Sequence, residues 1–339
     1  MRILTSWPSL GINSPFFFPP VRRIDSVVYL PALGSTTLDK IRHQLRYELF
    51  KRTELAARLV PTNPFNPTEV VAALNNRYML GPELRVGGQG VVYRASRIRD
   101  GNGNTCADDV ALKLHLDSRQ DERVEREISA AKNLRHPTLA TLLEDGTIVI
   151  NGKSTRYIAW DFIAGEPLDT RLSRGALDEA ATIQIAADVT SAIAALWSRH
   201  IVHRDVTPKN IIVKADGRAV LIDLGGARHL EHTTITAPGA TFGTVGYFSP
   251  EQYRAEHALT SASDVFTLGV VLLECLLGHH PTHFDQNQLA ASQSSAHVLV
   301  PTVHKELREV IDGMLKLRAP FRPSLARLQE KFDQLLKTR

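Results

Sequence analysis

The chain has 339 residues, which at about 150 residues per domain makes roughly two domains or one large two-lobed one. Hydrophobic residues are 43% and charged residues 22%, which excludes a disordered tail, a collagen-like chain and a small disulfide scaffold. The net charge of +4 belongs to the front: residues 1–80 hold ten Lys/Arg against five Asp/Glu, so the remainder is close to neutral and nothing electrostatic supports nucleic-acid binding by the bulk of the protein.

Residues 1–34 are rich in proline and aromatics, with Phe16, Phe17 and Phe18 set between Pro15 and Pro19. Arg2 is followed by a run broken at Pro8, Pro15, Pro19 and Pro20, so no secretory signal is expected there. Residues 35–60 are predicted to form a basic amphipathic helix. Ser35, Thr36 and Thr37 offer N-caps, Leu38, Ile41, Leu45 and Leu49 fall on one stripe, and Pro61 closes it. Lys40, Arg42, Arg46, Lys51 and Arg52 cover the other side, as a solvated face or as a docking face for a partner or an anionic surface. Asn63-Pro64-Phe65-Asn66-Pro67 reads as a linker. The predicted organisation is an extension over residues 1–77, with possible partner docking, and a second domain over 78–337.

From Tyr78 the texture turns β-like. Val91-Val92-Tyr93 and Val110-Ala111-Leu112-Lys113 are strand-like, with a Gly101-Asn102-Gly103-Asn104 turn between them. A charged amphipathic helix is predicted over 121–134, strands over 147–150 and 156–162, and a long helix over 178–198. A small β-rich half followed by a larger helical half predicts an α+β, two-lobed fold with a cleft. The longest nearly uncharged apolar run, residues 265–277, has 13 residues, too short for a bilayer span. The cysteines, Cys106 and Cys275, stand 169 positions apart, make neither a disulfide framework nor a zinc spacing, and suit a reducing cytoplasm. His279, His280 and His283 lie close together but lack a fourth ligand nearby, so they read as loop residues rather than a zinc site.

Three segments carry chemistry. Leu84-Arg85-Val86-Gly87-Gly88-Gln89-Gly90-Val91-Val92 is a glycine-rich turn whose backbone can approach phosphate oxygens. Lys113 ends a strand some twenty residues later. His203-Arg204-Asp205-Val206-Thr207-Pro208-Lys209-Asn210 opens into the apolar strand Ile211-Ile212-Val213, and Asp223-Leu224-Gly225 ends the next. Two carboxylates and an amide converging on one cleft suit Mg²⁺, a hard ion that usually rides on substrate phosphates.

Taken in order, these segments resemble a eukaryotic-like (Hanks-type) serine/threonine protein kinase over about residues 80–335. The resemblance implies a two-lobed kinase fold and transfer of the ATP γ-phosphoryl group to Ser/Thr hydroxyls of proteins, with ATP and Mg²⁺ as cofactors. It makes Asp205 the catalytic base, Lys113 the lysine on the α- and β-phosphates, Glu127 its partner, and Asn210 and Asp223 the metal ligands. Leu84, Arg85, Val86, Gly87, Gly88, Gln89, Gly90, Val92, Ala111, Lys113 and Ile212 would bind the nucleotide, with Trp160 behind the adenine. Thr244 and Ser249-Pro250-Glu251 match the end of the activation segment, Asp264 the brace of the catalytic loop, and Arg322 the partner of Glu251. Thr233, Thr234, Thr236 and Thr241 would lie in that segment. Arg85 replaces the first glycine of the phosphate loop, and Thr207 replaces a lysine that in the family reaches the transferring group. Those two departures favour the alternative of a pseudokinase, a scaffolding module that signals by shape.

Overall fold

The computed structural model describes residues 23–24, 27–28, 63–87, 90–98, 105–116, 121–229, 243–256, 259–290 and 295–338, with main chain alone at 23–24, 27–28, 105–107, 121, 123, 228–229 and 290. The compact units are Met1–Pro61 and Thr62–Arg339. In the first, β1 (Arg23–Ile24) pairs antiparallel with β2 (Val27–Val28). The helix expected over 35–60 and the Phe16–Phe18 cluster lie outside the described residues.

The second unit begins before the expected boundary at residue 78. Asn66 accepts a hydrogen bond from Thr68 N at 3.0 Å, and Pro67 fills a first-turn position whose N–H has no intrahelical acceptor, so a helix starts inside the expected linker: α1 (Pro67–Ala73). Its Val70 and the following Leu74 are fully buried against a sheet. That burial makes residues 63–77 part of the small lobe and not a tether.

The sheet comprises β3 (Tyr78–Gly87), β4 (Gly90–Ile98) and β5 (Thr105–His115), then, after helix α2 (Asp121–Ala131), β6 (Leu142–Ile150) and β7 (Lys153–Asp161). Every pairing is antiparallel in the order β3-β4-β5-β7-β6. Strand alternation gives it two faces. Tyr93, Leu112 and Ala159, directly opposite one another, pack on the α1 side, while Val92, Lys113 and Ile158 lie together on the other. The predicted helix over 121–134 ends at Ala131, with Asn133 at φ +60°.

The large lobe starts with β8 (Gly165–Pro167) and α3 (Leu168–Leu172), followed by α4 (Glu179–Trp197), which Asp178 caps by accepting from Ala181 N at 2.7 Å. Among the described residues α4 alone has the length and apolarity of a membrane span. It is apolar because it is central: Ile183, Val189 and Ile193 are fully buried in one core with residues of the later helices. Short strands β9 (Ile201–Val202), β10 (Ile211–Lys214), β11 (Ala219–Leu221) and β12 (Arg228–His229) then form the floor of the cleft. Helices α5 (Pro250–Tyr253), α6 (Ser261–Leu277), α7 (Gln286–Ala290), α8 (Ala296–Leu299), α9 (Lys305–Met314) and α10 (Leu325–Lys337) complete the lobe. This is the expected two-lobed α+β architecture.

Because Leu74 is wholly buried, Leu74→Ala is expected to cost about 2–5 kcal/mol in urea denaturation, and a cut after residue 76, which removes both Val70 and Leu74, should lower the midpoint sharply.

Candidate active site

Lys113 stands on the cleft face of β5, 7% exposed. Its Nζ donates to both oxygens of Glu127 on α2, at 2.8 and 2.9 Å, and to Asp223 Oδ1 at 3.2 Å. Burial opposes the ammonium, but the Asp223 and Glu127 carboxylates outweigh it and raise the Lys113 pKa. Burial likewise pushes the Asp223 carboxyl up; Lys113 and the Gly225 N–H at 3.1 Å more than reverse this and hold it far below the usual carboxylate range. Asp223 sits at φ +63°, a left-handed turn that brings its carboxylate back toward Lys113.

The catalytic-loop residues are positioned from beneath. Asp264, in the first turn of α6 and fully buried, accepts from His203 N and Arg204 N, each at 2.8 Å. Arg204 takes φ +70°, and Asp205 follows with its carboxylate in the cleft. Asp205 Oδ1 accepts from Thr244 N and Thr244 Oγ1, both at 2.9 Å. Asn210 Nδ2 donates to Asp205 Oδ2 at 2.9 Å and to the Asp205 carbonyl at 3.0 Å. With its nitrogen so engaged, Asn210 has Oδ1 as the acceptor end of its amide.

Asn210 and Asp223 therefore offer oxygen donors, and the surroundings contain the Lys113 ammonium against the Glu127, Asp223 and Asp205 carboxylates. A site with excess negative charge and an incomplete oxygen set fits Mg²⁺ that completes its shell on phosphates. Among the described residues no cluster of three or more His, Cys, Asp or Glu forms a self-sufficient metal cage.

Several expected nucleotide contacts fall on this face. Val92 lies directly opposite Lys113, and Ala111 opposite Trp160, which is buried in the core cluster that includes Ile128 and Leu224. Ile212 is half-buried, between Ile211 and Val213 that point into the large-lobe core. Arg85 pairs with Val92 and so shares its face. Val86 does not: it pairs with Val91 and its side chain packs on the α1 side. Leu84 is exposed. Gly90 has no room for a side chain, since a Cβ would meet the Leu114 carbonyl oxygen at 2.2 Å; Gly87 has open space. Gly88, Gln89 and the threonines 233, 234, 236 and 241 lie outside the described residues.

Thr207 is 1% exposed, and its hydroxyl has no hydrogen-bond partner among the described residues. Lys209 is exposed.

Gln252 and Gln286 had no role in the sequence reading, and His280 was read there only as a loop residue. Gln252 completes a capping box with Ser249 and donates from Nε2 to the Arg204 carbonyl at 3.0 Å. Gln286 accepts from Gly246 N at 3.1 Å and donates to the Phe248 carbonyl at 2.8 Å. His280 Nδ1 accepts from Phe284 N at 2.9 Å, so the neutral ring donates through Nε2 to the Gly246 carbonyl at 3.0 Å. Only the Ser249-x-x-Gln252 box was visible as a local pattern; the remaining partners are far apart in the chain. Below them Arg322 pairs bidentately with Glu251, at 2.6 and 2.9 Å, and also donates to the Ala262, Lys316 and Leu317 carbonyls.

A protein kinase domain model matches residues 78–333. The chain belongs to the protein kinase family. Among its relatives are the serine/threonine-protein kinase PknB of Mycobacterium leprae, 34% identical over 215 residues, and PknB of Mycolicibacterium smegmatis, 31% identical over 279 residues. PknA of Mycobacterium tuberculosis is 30% identical over 251 residues. These alignments cover 61%, 76% and 72% of this chain but 33%, 44% and 57% of the relatives, so this kinase chain spans between a third and somewhat over half of their length.

Burial lowers the His280 pKa from 6.5 to about 4. As pH falls the unfolded chain takes up that proton first, so stability is full above pH 6.5 and declines between 6.5 and about 4, by at most roughly 3 kcal/mol. Thermal melts across that range should show a decline that His280→Gln reduces. Arg322→Ala, which strands Glu251, is expected to cost about 3–5 kcal/mol by urea titration.

Proposed function

We propose that the chain is an ATP-dependent protein serine/threonine kinase. The observation that carries this is the assembled constellation: the Lys113–Glu127 pair is closed, Asp223 reaches the same ammonium, and Asp205 and Asn210 are hydrogen-bonded to each other within one loop. The relatives are named as serine/threonine kinases, which supports the choice of hydroxyl acceptor.

In the proposed reaction Lys113 holds the α- and β-phosphates, and Val92, Ala111 and Ile212 line the adenine site. Mg²⁺ carried on Asn210 and Asp223 would neutralise charge on the phosphate oxygens. A bond forms between the acceptor hydroxyl oxygen and the γ-phosphorus as the bond to the bridging oxygen of ADP breaks. The hydroxyl proton passes to Asp205, where Oδ1 already accepts two hydrogen bonds from Thr244 and Oδ2 accepts one from Asn210, leaving Oδ2 the freer. Thr244 thus ties the residues ahead of α5 to the base, a reason for phosphorylation upstream to matter. The proposed setting is the cytoplasm, where ATP is available; Cys275 is a free thiol that burial pushes up and keeps unreactive. The protein substrates rest on the resemblance, and docking through the extension, residues 1–77, rests on its basic charge.

Incubation of the purified chain with labelled ATP and Mg²⁺ should give phosphoserine or phosphothreonine by mass spectrometry, and Asp205→Asn should abolish it without shifting the melting temperature. Wild-type turnover in Asp205→Asn would refute the assignment of the base, and a folded, ATP-binding but inert wild type would favour the pseudokinase. Replacing Thr233, Thr234, Thr236 and Thr241 together by alanine is expected to lower the rate, through loss of a phosphate that pairs with Arg204.

A further inference from the structure

A kinase cleft gathers positive charge around the phosphates, and in this chain that charge is short. Lys113 is shared between two carboxylates. Thr207 occupies the catalytic-loop position where a lysine would reach the transferring group; it has no charge, and its hydroxyl is buried away from the cleft's solvent. Lys209, the nearest cation in sequence, is exposed.

The register of the sheet brings in another cation. Arg85 is directly opposite Val92, and Val92 is directly opposite Lys113. Residues directly opposite on neighbouring antiparallel strands share a face, so Arg85, Val92 and Lys113 form a row on the cleft side. Val86, the next residue, belongs to the other face, packed on the outer cluster. A slip of one position would have sent Arg85 outward; the irregularity in pairing between Glu83 and Arg85 sets the register that does not. The Arg85 side chain is exposed on that face. A guanidinium presents forked donors that match phosphate oxygens.

We propose that Arg85 is a nucleotide-phosphate ligand, supplying from the glycine-rich loop the positive charge that Thr207 does not supply from the catalytic loop. This rests on the kinase reading and makes the arginine an exchange of one cation position for another instead of a defect.

The test uses the full chain with Arg85→Gly, Arg85→Lys, Thr207→Lys and the Arg85→Gly/Thr207→Lys double variant. Calorimetric affinities for adenosine, ADP and ATP with Mg²⁺ are measured beside turnover at saturating ATP. Loss of a charged hydrogen bond predicts roughly a ten- to hundredfold weaker ATP affinity in Arg85→Gly with adenosine affinity unchanged. Arg85→Lys should be intermediate, and the double variant should recover turnover relative to Arg85→Gly. An ATP-to-adenosine affinity ratio that Arg85→Gly leaves unchanged overturns the assignment, as does a parallel loss for both ligands, which marks a role in loop shape. Wild-type chain that binds ATP in an Arg85-dependent way yet transfers no phosphate refutes the kinase reading and leaves the Arg85 assignment standing; no ATP binding at all overturns both.

Discussion

One ammonium group joins the parts of this molecule that have to meet. Lys113 Nζ is within hydrogen-bond distance of Glu127 on α2 and of Asp223 at the end of the β11 strand, so a strand, a helix and the floor of the cleft converge on one atom. Lys113 and Glu127 are buried and Asp223 is half-buried, and the triad is unbalanced, with two negative charges against one positive. Buried ion pairs are poor sources of net stability, because desolvation offsets their attraction, while losing one partner is costly. Such an arrangement is better understood as a device for specificity. It stores negative charge where a metal–nucleotide complex would relieve it, and it lets α2 sit in only one place relative to the sheet.

The large lobe uses the same device in a balanced form. Asp264 binds two successive main-chain N–H groups of the catalytic loop and so holds Arg204 in a left-handed conformation that an unsupported loop would avoid. Glu251 and Arg322 join the α5 turn to the chain before α10, with Ser263 donating to the same carboxylate at 2.7 Å. Gln252, Gln286 and His280 fasten the residues between Thr244 and α5 through their main-chain groups. Thr244 therefore reaches Asp205 from a segment held at several points, and the orientation of the Asp205 carboxylate does not rest on one bond.

The small lobe is completed by residues outside the matched kinase region. Helix α1 lays Val70 and Leu74 on the sheet face opposite the cleft, closing a surface that would otherwise expose Leu112 and Tyr93. The lobe presents Lys113 from a sheet whose opposite face is packed by α1.

Motif order was enough to read the family, the two-lobed fold and the roles expected of Lys113, Asp205, Asn210 and Asp223, because each motif is a short run whose chemistry depends on its own residues. Strands such as 110–113 and the long helix over 178–198 were legible for a similar reason: alternation, apolar length and the Asp178 cap are local signals. Three matters were decided by tertiary packing. Residues 63–77 look like a tether, since Asn and Pro mark turns, yet the burial of Val70 and Leu74 by distant strands makes them core. Gln286 carries no local signature, since its partners lie more than thirty residues away, and the same distance separates His280 Nε2 from the Gly246 carbonyl. The face on which Arg85 stands depends on the pairing of β3 with β4, and with a period of two a single-residue slip inverts every side chain. Composition and spacing do not determine that register; the bulge beside Glu83 and the packing of Val86 with Val91 do.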